Sequence, residues 1–349
     1  MQVGKMKQTL FSALCSLLLV GACIEVPYTF QATGGQADLW SRRQTISELI
    51  DSPSTDLRTR IVLAEVERIL TYADAQGLSD QGNYRDFVDI ERDAVVWFMT
   101  ASKPLEFEEK VWGFPVVGSF PYLGWFRFQD ALTYREKLES EGWDVYLRRV
   151  RAYSTGGWFR DPVLSTMISR TDEALLWLAT VIFHELTHAN ILISDQSTFN
   201  ESIASFVGDT MADRFLRERF GESSKEFLRF QEVLAEERRA GDRLKKSYQE
   251  LAALYSSGKS DKDKLKEKKS ALDSLRVELD LPYAPNNASL IGFRTYNAGQ
   301  KDIEELFVAC GRRWADFFKA IEDIDTEWFA EEQMEDISAV TGRAKKSCP

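Results

Sequence analysis

Histidine is nearly missing from this chain. Among 349 residues there are two, His184 and His188, so any chemistry that needs an imidazole is confined to one five-residue stretch. Cysteine is scarce too, four in all, too few for a disulfide-stapled scaffold. Glycine and proline, at 20 and 9 residues, are too sparse for a collagen-like or low-complexity chain, and 44% hydrophobic residues exclude intrinsic disorder. Positive charge is the minority sign. The 44 Lys and Arg face 55 Asp and Glu, and the net charge of -11 is the wrong sign for gripping a phosphate backbone, which argues against nucleic acid as a partner. No stretch holds 18 consecutive apolar residues, so none reads as a spanning helix. What is left is a globular composition, long enough for a large core or two domains.

The first 22 residues read as a secretory signal. Lys5 and Lys7 form a basic start, and Leu10 to Ala22 is an apolar run of 13 residues, too short to span a bilayer. The run ends in Val20-Gly21-Ala22-Cys23, which resembles the bacterial lipobox. The resemblance implies cleavage before Cys23, acylation of its thiol and attachment of the mature chain to a membrane in an exported compartment, the periplasm or the cell surface. Cys15 would leave with the signal. Cys310 and Cys348 would then be the remaining thiols in an oxidising compartment, either paired or free.

Hydropathy patterning divides the rest at about residue 170. Gln44 to Ile50 and Leu57 to Ala73 carry helical apolar spacing, with a turn at Asp51-Ser52-Pro53-Ser54. Residues 94–98, 112–117 and 143–153 read as strands, and a short helix spans about Phe128 to Gly142. Residues 23–170 therefore form a helical segment and a small mixed sheet. From 171 to 349 the pattern is helical: 172–190, 198–220, 222–257, 261–279 and 300–322, with Ser256 to Ser260 turning the middle pair into an antiparallel hairpin, 222–279. The charged run Lys259 to Lys269 reads as a solvated helix face. The fold class is α+β, predominantly helical.

The two histidines lie in His184-Glu185-Leu186-Thr187-His188, within a helix whose start Thr171 can cap. A spacing of four places both imidazoles on one face, where they can bind one Zn²⁺. Glu185 projects beside them as a general base for water. A catalytic zinc normally takes three protein ligands. With no histidine left, the third is a carboxylate or cysteine, and Glu201, 12 residues after His188, is the first choice. The alternative makes Glu201, with Thr198, only a capping box for the second helix, and leaves Asp195 or Asp209 as ligand. Ser205, one turn beyond Glu201, can hydrogen-bond a ligand.

HExxH followed by Asn200-Glu201 resembles the gluzincin metallopeptidases. More closely, Ala152-Tyr153-Ser154-Thr155-Gly156-Gly157-Trp158-Phe159, Asp161-Pro162, the HExxH stretch and Phe199-Asn200-Glu201-Ser202 are similar to a family of bacterial lipoproteins assigned as zinc-dependent aminopeptidases. Gln31-Ala32 to Gly35-Gln36, and Asn286-Asn287-Ala288 to Tyr296, fit the same family. Gly156 departs from it, standing where the family pattern has leucine. The resemblance implies a zincin-like small sheet and metal helix, a zinc held by His184, His188 and Glu201 with Asn200 in support, and Glu185 as base. It also implies a peptide substrate laid along the edge Tyr153 to Phe159, at Ser154, Gly156 and Gly157. Such enzymes need a donor for the oxyanion; Tyr296 is the first candidate and Tyr153 the second. The acid that would hold a substrate's free amine is not legible in the sequence. A rival reading is a non-catalytic envelope lipoprotein with a structural metal and a partner-binding hairpin.

Overall fold

Apolar residues three and four apart make the first long helices, and the turn between them is cut by Pro53. In the computed structural model, which describes residues 25–114, 118–152, 155, 159–168, 174–297 and 299–349, the order begins α1 (Glu25–Ser41), β1 (Gln44–Thr45), α2 (Ile46–Asp51) and α3 (Leu57–Ala75). Asp56 caps α3 by accepting from the Thr59 amide, and Val62, Leu63, Val66, Ile69 and Leu70 bury its inner face. The expected helix 44–50 gives up its first two residues to β1, because Gln44 and Thr45 pair with Phe87 and Asp86 of β2 (Asp86–Val88). Then follow β3 (Val96–Ser102), β4 (Trp112–Phe114), β5 (Gly118–Phe120), β6 (Leu123–Trp125), α4 (Phe128–Ser140), β7 (Asp144–Val150) and β8 (Val163–Leu164).

These strands form three small sheets rather than one. The largest has the order β6-β3-β7, antiparallel throughout, with Thr100 opposite Tyr146; β1-β2-β8 ends in a parallel pair, and β4-β5 is a hairpin. Pairing with β7, from Val96 opposite Val150 to Ser102 opposite Asp144, sets β3 at 96–102 rather than the expected 94–98. The expected strand 112–117 is β4 over Trp112–Phe114, with 115–117 outside the described residues, and of the strand expected over 143–153 the residues Asp144–Val150 form β7.

The remainder is helical: α5 (Ala174–Asn190), α6 (Ser197–Phe220), α7 (Lys225–Tyr255), α8 (Asp261–Glu278), α9 (Asn287–Asn297), α10 (Gln300–Ala309), α11 (Trp314–Glu322) and α12 (Ser338–Ala344). The fold is α+β and predominantly helical. Ser224 and Ser260 cap α7 and α8 through their hydroxyls, and Arg243, in the second half of α7, donates to Glu278 at the end of α8, so the two helices lie side by side as a hairpin. Most of the 259–269 run is exposed, but Lys268 is buried and salt-bridged to Asp144 of β7, so this face also pins the hairpin to the sheet. The single helix expected over 300–322 is two. Backbone at positive φ, +66° at Gly311 and +56° at Arg312, ends α10 and redirects α11. Cys310 is joined to Cys348 by a disulfide, which fastens the C-terminus beneath that break. Among the described residues no helix is long and apolar enough to cross a membrane.

The main core gathers α3, α5, α6, α10 and α11 around fully buried Phe183, Phe199, Phe307 and Phe317. Each such side chain contributes roughly 1.5–3 kcal/mol relative to exposure, so this helical cluster, and not the sheets, fixes the positions of α5 and α6.

Candidate metal centre

α5 is apolar on most of its surface. Leu176, Leu178, Ala179, Ile182, Phe183 and Leu186 are buried, which leaves the stripe through His184 and His188 as the face that looks onto α6. The two helices approach closely at Gly208. A Cβ there would lie 3.0 Å from the Thr180 carbonyl oxygen and 3.2 Å from His184 Cβ, so the glycine sets how near α6 can come to the histidines.

The start of α6 is held by side chains rather than by a capping box. Its N-cap is Gln196, whose side chain makes no cap hydrogen bond, so Thr198 and Glu201 do not act as the sequence pattern suggests. Asn200 instead closes the connecting turn, accepting from Ile193 N at 2.9 Å and donating to Ile193 O at 2.8 Å. The segment 331–334 clamps the same end: Gln196 donates to the Glu331 carbonyl and accepts from the Met334 amide, and Ser197 N donates to Gln333. Glu201 is thereby released from capping and aimed at α5.

The resulting geometry is compact. His184 Nε2 and His188 Nε2 are 3.2 Å apart, and Glu201 Oε2 lies 3.5 and 3.6 Å from them. Ligand atoms held about 2.0–2.1 Å from a tetrahedral zinc stand about 3.3–3.4 Å from one another, so the three observed separations match a shared ion. Glu201 Oε2 is also a buried oxygen with no hydrogen-bond partner among the described residues, an arrangement that costs free energy unless a cation completes it. The residues present fit a metal ion: this trio could hold one, and the described residues assemble no other such group.

Electrostatics follow the same lines. Burial alone would raise the Glu201 carboxyl, but the charges of His188 and His184 facing it hold it well below the usual carboxylate range. Burial likewise opposes a proton on His188, yet Glu201, and Glu185 after it, carry it above the ordinary histidine value. Glu185 is raised, chiefly by burial, with both histidines acting the other way and Glu201 and Asp161 adding to the rise. A carboxyl held ready to take and return a proton is what a general base requires.

Behind Glu185 sits a cluster that sequence reasoning missed. Tyr84 is buried, its backbone in the left-handed region at φ +59°, and burial followed by the charges of Glu185 and Asp161 pushes its phenol well up. Its amide donates to Asp161 O at 2.7 Å, while Asp161 N donates to Asn83. The sole signal was the quoted Asp161-Pro162 pair, and nothing in it pointed to Tyr84.

A cleft of about 1120 Å³ opens over this centre, with His184, Glu185 and Ser205 in its lining and walls from β7, α7 and α10. Ser205 faces that space, and among the described residues no hydrogen bond joins it to His184, His188 or Glu201. Asp195 is not a ligand: its carboxylate accepts from Ser119 N and Oγ of β5. Asp209 lies in the cleft lining, outside the ligand trio. Tyr153, Ser154, Gly156, Gly157 and Cys23 fall outside the described residues, as does Thr171. Of the expected substrate edge 153–159, Thr155 and Phe159 are described and lie in no strand. Thr155 donates to Asp161 through its amide and hydroxyl, both at 2.9 Å, and Phe159 N donates to that hydroxyl. The backbone at Tyr296 belongs to α9, one turn beyond Phe293 of the cleft wall, and its side chain is outside the description. The Asn286-Asn287-Ala288 stretch anchors the start of α9 to the sheet: Asn286 donates to Val145 O and Asn287 to Lys103 O.

Residues 27–335 match the model of a family described as "Putative aminopeptidase". No curated protein and no solved structure matches the chain.

Proposed function

The chain belongs to this aminopeptidase family, and from that premise we propose that it is an exported, lipid-anchored zinc metallopeptidase that removes residues from the free amino end of peptides. The observation that carries the reading is the convergence of His184, His188 and the orphaned Glu201 oxygen on one point beside a buried carboxyl at the foot of a cleft. A divalent ion held by those three side chains would supply Lewis-acid polarisation of the scissile carbonyl and of water there.

Everything else is work for the chain's own residues. Glu185, with its pKa raised by burial, accepts the proton of the attacking water and returns it to the leaving amine. Asp161, whose carbonyl accepts from the Tyr84 amide, adds to that rise. Asn200 keeps the α5–α6 turn short, so that Glu201 meets the histidines. Tyr296 is the first candidate for a donor to the developing oxyanion and Tyr153 the second; Ser154, Gly156 and Gly157 are candidate wall residues for the peptide. Cys23, after Val20-Gly21-Ala22, is the residue expected to carry lipid, which would hold the catalytic body at a membrane surface facing the periplasm or cell exterior.

The test is Glu185→Gln assayed on aminoacyl and N-blocked peptides. Loss of about 10²-fold or more in kcat with metal retained is the expected result. Wild type that cleaves neither class while keeping stoichiometric metal would favour a structural role for the ion, and cleavage of blocked peptides would make it an endopeptidase.

A further inference from the structure

The cleft lining carries four carboxylates that neither the metal centre nor the base accounts for, Asp209, Glu237, Asp242 and Glu304, and the first two of them act on each other electrostatically. Asp209 stands on α6 eight residues after Glu201, immediately after the glycine that touches His184, and Glu237 faces it from α7. Asp209 is half-buried in the cleft, with the surrounding protein partly desolvating it. Neither carboxylate makes a hydrogen bond or an ion pair among the described residues. Asp213, one turn further along α6, is taken up by Arg217 and Gln231, and Asp195 by Ser119.

We propose that Asp209 and Glu237 form the subsite of this cleft that takes the protonated amine of a peptide substrate. An enclosed carboxylate with no partner is costly, and the cost is relieved by a cation that brings its own donors. A primary ammonium is compact and offers three N–H groups, enough to serve both carboxylates at once. A second metal ion is the poorer occupant, because the described residues bring no further metal-binding group together beyond His184, His188 and Glu201. Burial pushes Asp209 up to about 7, with Glu237 adding to the rise and His184 and Arg238 opposing it, and burial raises Glu237 as well. The same helix thus supplies a metal ligand at Glu201 and, two turns on, an anchor that separates free from blocked amino ends.

The inference rests on the peptidase reading for its ligand, and its test is chosen to be independent of turnover. Trialanine and N-acetyl-trialanine are titrated calorimetrically into the zinc-loaded full chain carrying Glu185→Gln, and then into the same chain with Asp209→Asn or with Glu237→Gln added. The free amine should bind about tenfold or more tighter than the blocked one, as expected of a charge-assisted contact. Asp209→Asn should remove most of that preference without changing the affinity of the acetylated peptide. Equal affinities in the parent, no binding of either peptide, or an undiminished preference in both added variants would overturn the proposal. Circular dichroism checks folding, and Glu237→Gln, at the exposed rim, carries the test should Asp209→Asn fail to fold. A wild type that hydrolyses nothing while the amine preference holds would refute the peptidase reading and leave the subsite standing. Turnover without the preference would do the reverse.

Discussion

His184, His188, Glu201 and Glu185 are neighbours with different environments. Glu201 is stabilised in its charged form by the imidazoles, whereas Glu185, buried next to the same rings, is raised. One carboxylate is therefore kept as an anion and the other is kept ready to exchange a proton. Three of these four residues were legible because their relation is local: an i, i+4 pair in a helix needs no tertiary information. Glu201 was readable as a candidate only, since its rival role as a cap could be dismissed solely by seeing Gln196 at the N-cap. Asp209 offers a test of pH linkage at this scale. Its folded-state pKa, about 7, lies above the unfolded value, so the stability it contributes is fully present below about pH 4 and is lost as pH rises through 7. In the chelator-treated protein, Asp209→Asn should melt at the wild-type temperature at pH 4 and above it at pH 8. An equal melting temperature at pH 8 would contradict the burial of that charge.

At the scale of elements, the site is the contact between α5 and α6. Their lengths were readable from apolar spacing, to within a residue or two at most ends. Their closeness was not, because it depends on Gly208 meeting the Thr180 carbonyl. Gly208→Ala would gain about 0.5–1 kcal/mol from reduced chain freedom, but overpacking against a backbone oxygen that cannot swing aside costs about 1–3 kcal/mol. The substitution should therefore lower the melting temperature and weaken zinc affinity in a competition assay with a chelating dye; unchanged zinc affinity would show that helix spacing does not control the site. The strands were harder to read, since runs of three residues carry little periodicity and their pairing into three separate sheets is a long-range outcome. The break at Gly311 was missed for a related reason: one glycine inside an apolar pattern does not announce positive φ.

Over the whole molecule, distant segments finish what α5 and α6 begin. Residues 331–334 clamp the head of α6, and Tyr84, about a hundred residues upstream, and Asp161, just before the metal helix, come near enough to Glu185 to act on it electrostatically. No sequence pattern encodes those meetings, which is why the cleft and its acidic pair became visible only in the folded chain. The Cys310–Cys348 bond acts at this scale as well. It closes a loop with a sequence separation of 38 residues, and opening it should cost about 2–4 kcal/mol. A reductant should lower the melting temperature accordingly, and no shift would mean that the bond does not restrain the unfolded chain. The most direct test of the central claim is the metal content of the purified protein, measured by elemental analysis for wild type, Glu185→Gln and His188→Ala. About one zinc per chain in the first two and almost none in the third is the predicted result. Zinc absent from wild type, or retained undiminished by His188→Ala, would contradict the assignment of His184, His188 and Glu201 as a metal centre.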